Sequence, residues 1–181
     1  ISMYSFIIII IIILLIMLSF INNNNNIKIN KINKIDNMTN SEISCIIPGE
    51  LYLTDATNAK DYSVLKYLGI KQILIVGNEL SRHGDDQFKV MHIRLEDHPE
   101  ENIKKYFNIT YEFIKQAPTL LHCAMGISRS STIVAAYIIR KYKKTTDEVL
   151  AFMKEKRKII NPNYGFINQL KDFEKNIEKA D

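Results

Sequence analysis

Cysteine is scarce in this chain: Cys45 and Cys123 are the only two in 181 residues, and tryptophan is absent. Two thiols cannot build a disulfide framework, so a small stapled secreted fold is excluded. The four histidines, at 83, 92, 98 and 122, show no metal-ligand spacing with one another or with either cysteine, so no zinc site is expected. No internal repeat is visible. Excess charge of one sign is also scarce once it is located. The net charge is +4, from 24 Lys+Arg and 20 Asp+Glu, and Lys28, Lys31, Lys34 and Asp36 place half of it in the first 37 residues. The rest is close to neutral and shows no basic stripe interleaved with aromatics, so no nucleic-acid partner is expected.

What is present divides into two unlike parts, as a length near one domain plus an added segment would suggest. Phe6 to Ile21 is apolar apart from Ser19, with seven consecutive Ile from Ile7 to Ile13, and it runs into Asn22–Asn26 and an Ile/Lys/Asn alternation. Such low complexity carries no packing information. The run is shorter than the roughly 20 residues a membrane-spanning helix needs. Residues 1–5 hold no Lys or Arg, and no small-x-small cleavage site follows, which argues against a secretory signal. Two readings of residues 1–37 stay open. In one, residues 6–21 are a membrane anchor, and the three lysines after them keep the remainder on the cytoplasmic side. In the other the segment is not in the mature protein and Met38 is the start. Both place the domain in the cytoplasm, where a free thiol survives.

From residue 43 to residue 178 the pattern alternates between strands and helices. Glu50–Thr54 alternates like a strand, Lys60–Leu68 reads as a helix ended by Gly69, and Gln72–Val76 is an apolar run bounded by Gly77. Phe88–Leu95 alternates again. Ile103, Phe107, Tyr111 and Ile114 recur at helical spacing ahead of Pro118. Thr119–His122 is a short apolar strand, and Ile133–Tyr142 an apolar helix. Thr145 and Glu148 fit a capping box for a helix to about Lys156. Phe166–Glu178 closes the chain as a helix with Ile167, Leu170 and Phe173 inward. This order predicts an α/β fold with a central, mainly parallel sheet flanked by helices.

The chemistry is concentrated in Leu120–Thr132, L-L-H-C-A-M-G-I-S-R-S-S-T. A buried strand ends at His122-Cys123, five residues follow, and Arg129 opens a helix. Backbone N–H groups of the loop and of the helix's first turn then converge above Cys123, at the positive end of the helix dipole, which makes a cradle for an anion. A cysteine in such a field beside a cation is favoured as its nucleophilic thiolate. Arg129 adds a planar fork for two phosphate oxygens, and Gly126 permits a turn that a Cβ would obstruct. The reaction these groups suit is phosphoryl transfer to sulfur. The leaving oxygen needs an acid. Asp97, Glu96 and the Asp85-Asp86 pair all compete for that role on residue type alone. Cys45 reads as a packed strand-edge residue.

H-C-A-M-G-I-S-R-S-S resembles the signature loop of cysteine-based protein phosphatases, and its Ser128-Arg129-Ser130 ending resembles the dual-specificity subfamily. I-P-G-E-L-Y-L, L-K-Y-L-G-I-K-Q-I-L and N-P-N-Y-G-F-I-N-Q-L-K-D-F-E are similar to landmarks of that family, over residues 43–176. The resemblance implies a sheet of about five strands and a small, stand-alone catalytic domain. It implies Cys123 as nucleophile and Ala124, Met125, Gly126, Ile127, Ser128 and Arg129 as the phosphate-binding loop. Ser130 is then the hydroxyl that supports the departing thiolate, and His122 helps to orient the loop. The family's acid follows the strand that here is Phe88–Leu95, which selects Asp97 from R-L-E-D-H-P-E-E-N. No metal or cofactor is called for. The connection Ile114–Thr119 is shorter than is usual in the family, which trims a surface loop away from the site.

The loop holds no lysine of the kind that inositol-phospholipid phosphatases carry there, so phosphorylated proteins are the expected substrates, at phosphotyrosine and at phosphoserine or phosphothreonine. Two rivals remain: a phosphatase of lipid, glycan or RNA 5′ ends, and a catalytically dead phosphopeptide-binding module.

Overall fold

The computed structural model describes residues 43–178, and the readings made of residues 1–37 lie outside them. Five strands form one sheet: β1 (Ser44–Ile47), β2 (Leu51–Thr54), β3 (Gln72–Val76), β4 (Lys89–Ile93) and β5 (Thr119–His122), in spatial order β1-β2-β5-β3-β4. β1 pairs antiparallel with β2, and every other pairing is parallel. Among the described residues five α-helices accompany them: α1 (Tyr62–Tyr67), α2 (Phe107–Ile114), α3 (Arg129–Tyr142), α4 (Thr146–Lys156) and α5 (Tyr164–Glu178).

The expected architecture of a mainly parallel five-stranded sheet between helices is what the chain adopts. β2, β3 and β5 are buried at every position because both faces of the sheet are covered, which is why β3 and β5 read as apolar runs and why the alternation read in β2 does not mark a solvent-facing side. Leu51, Leu53, Leu74, Val76 and Leu121 join the main core with α2, α3, α4 and α5. Ile73, Ile75 and Leu120 are also buried but lie outside that cluster. Near them, Tyr62 of α1 packs on Phe88, with ring centroids 5.5 Å apart. α3 is buried on every side from Arg129 to Ile139, as expected of a helix ringed by a sheet and three other helices.

Three details differ from the sequence expectation. β1 had no separate prediction; it is four residues at the sheet edge, joined to β2 by a turn in which the Glu50 N–H donates to the Ile47 carbonyl at 3.0 Å. α1 is shorter than Lys60–Leu68, because Asp61 caps it by accepting the Val64 N–H at 3.2 Å. The inward face of α5 is Phe166, Leu170 and Phe173, while Ile167 is half-buried on its flank. Cys45 lies half-buried on the edge strand opposite Tyr52, and burial raises its thiol pKa. Among the described residues no helix is long and apolar enough to cross a membrane.

The capping box at α4 forms in both directions: Thr145 Oγ1 accepts the Glu148 N–H at 3.2 Å, and the Glu148 carboxylate accepts the Thr145 N–H at 2.9 Å. Thr145→Ala should therefore lower stability by about 1 kcal/mol. In urea unfolding this would show as a lower midpoint with an unchanged slope.

Candidate active site

Parallel pairing brings the carboxyl ends of β2, β3, β4 and β5 to one edge of the sheet, and the site is built there. The loop from Cys123 to Ser128 leaves β5 and enters α3 at Arg129. Its carbonyls are drawn away from Cys123 by donors behind it. The Ala56 N–H takes Ala124 O at 3.1 Å and the Asn161 N–H takes Ile127 O at 2.9 Å. The buried Arg157 guanidinium takes Gly126 O at 3.0 Å and Met125 O at 3.2 Å. Peptide planes fixed with C=O outward present N–H inward, and the Gly126 N–H indeed donates to Cys123 Sγ at 3.2 Å. Gly126 takes φ +64°, and a Cβ there would lie 2.4 Å from Thr54 O, so both conformation and space demand glycine.

Cys123 is buried, with Sγ accepting a second hydrogen bond from the Ser130 hydroxyl at 3.1 Å. Arg129 is 6% exposed and is gripped by Glu79, Nη1 and Nη2 donating to the two carboxylate oxygens at 2.8 and 2.6 Å, with Leu95 O a further acceptor at 3.2 Å. Burial alone would lower the Arg129 pKa. The Glu79 hydrogen bonds and the charges of Cys123, Glu79 and Asp97 outweigh it, and the net shift is upward. The same bonds lower the Glu79 pKa. The Nε–H of Arg129 is buried without an acceptor among the described residues; Asp97 Oδ2, at 3.8 Å, is beyond hydrogen-bond reach.

The structure separates the acid candidates. Asp97 reaches the loop, its Oδ1 accepting the Ser128 hydroxyl at 2.7 Å and the Asn163 Nδ2–H at 2.9 Å. Asp85 is paired with Arg82, Asp86 accepts from Gln87, and Glu96 turns to Asn78. The short connection after α2 ends at Pro118, whose carbonyl accepts the Lys71 and Gln72 N–H groups at the start of β3, the opposite end of the strands from Cys123.

His122 is buried and belongs to a chain that sequence alone did not show. The Tyr62 hydroxyl lies 3.0 Å from His83 Nδ1, His83 Nε2 lies 3.0 Å from His122 Nε2, and His122 Nδ1 lies 3.3 Å from Cys123 O. The carbonyl can only accept, so His122 carries its proton on Nδ1 and accepts at Nε2 from His83, which in turn accepts from Tyr62. Both imidazoles are neutral in this arrangement. Burial lowers the His122 pKa to about 4 and also lowers that of His83.

Glu79, His83, Arg157 and Asn163 are the other site residues that sequence reasoning missed. Arg157 sits in the charged run K-E-K-R-K, where nothing marks one cation as buried, and Glu79 follows β3 in a polar turn. Asn163 stands in the quoted N-P-N-Y-G-F landmark, which was a signal without an assigned role.

Residues 51–176 match the family described as dual specificity phosphatase, catalytic domain. "Dual specificity protein phosphatase 1" of Arabidopsis thaliana is 35% identical over 147 residues, covering 78% of this chain and 74% of that protein. The Dictyostelium discoideum protein named "Probable rhodanese domain-containing dual specificity protein phosphatase" is 37% identical over 137 residues, 73% of this chain but 29% of its own length. Among solved structures, the human tyrosine phosphatase-like serine/threonine/tyrosine-interacting protein shares 32% identity at a TM-score of 0.70, covering 74% of this chain and 96% of that one. DUSP15 shares 31% at 0.68, covering 77% and 97%. The described domain is thus that of a hydrolase of the protein-tyrosine-phosphatase type. Within that class, the chain belongs to the dual-specificity phosphatase family.

A histidine whose folded-state pKa is depressed lets the unfolded chain take up the proton first, so stability is lost as pH falls from about 6.5 toward about 4. For His122 the loss amounts to roughly 3 kcal/mol at the acid end, since one pKa unit is about 1.4 kcal/mol. Thermal melting should fall more steeply over this range for the wild type than for His122→Gln. Parallel falls would show that the burial of His122 does not govern acid stability.

Proposed function

We propose that this protein hydrolyses phosphotyrosine and phosphoserine or phosphothreonine in protein substrates through a cysteinyl-phosphate intermediate. The observation that carries the reading is the pair of donors on Cys123 Sγ, the Gly126 N–H and the Ser130 hydroxyl, in a loop whose carbonyls are all turned away. Both donate to the sulfur that is to act as nucleophile.

In the first step Cys123 Sγ attacks phosphorus and the bond from phosphorus to the substrate oxygen breaks. Asp97 gives its proton to that oxygen, which departs as the free hydroxyl. Arg129 supplies the cationic fork: Glu79 orients its plane, and the buried Nε–H is a donor with no acceptor among the described residues. In the second step Asp97, now a carboxylate, takes a proton from water as the water oxygen attacks phosphorus. The sulfur–phosphorus bond breaks, inorganic phosphate is released, and the Ser130 hydroxyl hydrogen-bonds the returning thiolate. The residues from Ala124 to Ser128 supply the cradle through backbone N–H groups, so the phosphate is held without a lysine. That lack favours a singly phosphorylated protein residue over a polyphosphorylated lipid headgroup.

Localisation of the domain in the cytoplasm, the anchor reading of residues 6–21 and the domain limits 43–178 are carried as expectations of the sequence. One neighbour bears the name of an interacting protein that is phosphatase-like. For this chain, a thiol with two donors, an oriented Arg129 and a docked Asp97 support turnover over simple binding.

Hydrolysis of para-nitrophenyl phosphate and of phosphotyrosine and phosphothreonine peptides by the full chain, without added metal, tests the assignment. Cys123→Ser should abolish turnover. Asp97→Asn should reduce turnover of the phosphopeptides by about 10²-fold or more, the contribution of a positioned general acid, and that of para-nitrophenyl phosphate by less, since its leaving group departs without a proton. Tight phosphopeptide binding with no turnover by the folded wild type would instead establish a binding module.

A further inference from the structure

The mechanism uses Asp97 as an acid without saying which of its two oxygens carries the proton, and the surroundings of that carboxyl group decide the matter. Oδ1 already accepts two hydrogen bonds, from the Ser128 hydroxyl at 2.7 Å and from Asn163 Nδ2 at 2.9 Å. Neither donor is free to turn. Asn163 Oδ1 accepts the Phe166 N–H at 3.0 Å in the first turn of α5, so its amide must present Nδ2 to Asp97. The Asn163 backbone N–H donates to Ser128 Oγ at 3.2 Å, which leaves the Ser128 hydroxyl to direct its one proton at Asp97. A proton on Oδ1 would face two hydrogens already aimed at that atom. Among the described residues Oδ2 accepts no hydrogen bond of this kind, and it is the oxygen that lies 3.8 Å from Arg129 Nε.

Backbone contact reinforces the arrangement. A Cβ built on Gly165 would lie 2.0 Å from the Pro99 carbonyl oxygen, so the segment carrying Asp97 rests directly on the start of α5. Two residues before Asn163, the Asn161 N–H donates to Ile127 O, tying the approach to α5 to the phosphate loop.

We infer that Asn163 is a positioning residue for the reaction: its fixed amide assigns the transferable proton of Asp97 to Oδ2 and holds the acid segment against the phosphate loop. This rests on the reading of Asp97 as general acid. Asn163 has a separate structural duty as the cap of α5, and Asn163→Asp separates the two. Aspartate caps a helix as well as asparagine does but replaces the Nδ2 donor with an acceptor facing Asp97.

The test is kcat/KM and kcat against pH for the full chain, over aryl phosphates whose leaving groups run from activated nitrophenols to unsubstituted phenol. Wild type, Asn163→Asp, Asn163→Ala and Asp97→Asn are compared. A displaced acid should cost about tenfold with phenyl phosphate, short of the 10²–10⁴-fold of losing the acid outright, and little with the activated nitrophenyl esters, which need no proton. In Asn163→Asp two carboxylates share one site, which raises the apparent pKa of the pair, so the alkaline limb of kcat should move to higher pH while the melting temperature is kept. If both Asn163 variants lose the same factor with every leaving group and the alkaline limb stays in place, Asn163 is a helix cap alone and the proposal falls. If Asp97→Asn itself shows no dependence on the leaving group, the acid assignment fails first and the role of Asn163 falls with it.

Discussion

The direction of four peptide planes governs this structure. Between Ala124 and Ile127 every carbonyl is held on the outside of the loop, by the Ala56 and Asn161 N–H groups and by one buried arginine. Reversing the plane between Met125 and Gly126 would aim an oxygen at the sulfur and remove the Gly126 N–H donor from it. Arg157 is taken out of water for this purpose, and burial lowers its pKa despite the nearby charges of Asp55 and Cys123. Burying a cation is costly unless its donors are satisfied. Here Arg157 makes hydrogen bonds to two loop carbonyls and to Ser44, so the energetic cost of one side chain secures the geometry of the loop.

Electrostatic roles around the loop are divided. Arg129 and Arg157 remain cations, one before the sulfur and one behind the loop. Glu79 neutralises part of Arg129 while fixing its plane, and it is half exposed, so it orients the guanidinium without sealing it from solvent. Asp97 stays just outside hydrogen-bond reach of that guanidinium. The histidine chain under the loop contributes hydrogen bonds without charge at neutral pH, because each imidazole must accept from the group before it.

How much of this could be read from the chain depended on whether a feature was local. The alternation of strands and helices, the capping box at Thr145 and the run from His122 to Ser130 are all set within a few residues, and each forms where the pattern placed it. The edge strand β1 escaped notice because four residues carry too little periodicity. Phe166 took the inward position expected of Ile167 because Phe166, Leu170 and Phe173 are spaced i, i+4 and i+7 on one face of α5, with Ile167 on its flank. The second set of site residues is different in kind. Glu79, His83, Arg157 and Asn163 reach the loop across 31 to 50 positions of sequence, and no spacing rule marks a polar residue whose partner is supplied by another element. Asp97 stood between, singled out from Glu96, Asp85 and Asp86 by family resemblance and placed apart from them by its docking on Ser128.

The order of the strands has a consequence for how the molecule comes into being. β5, which carries Cys123, lies between β2 and β3 and is the last of the five to emerge in sequence. Until it inserts, the sheet is split into two halves that share no hydrogen bonds, with Thr54 on one and Glu79 on the other. Parallel pairing over such separations closes slowly, because the entropy of the long loops is lost before the contacts form. The strand that joins the two halves is therefore the one that delivers the nucleophile, and a chain in which β5 is not yet paired holds its thiol apart from Thr54 and Glu79.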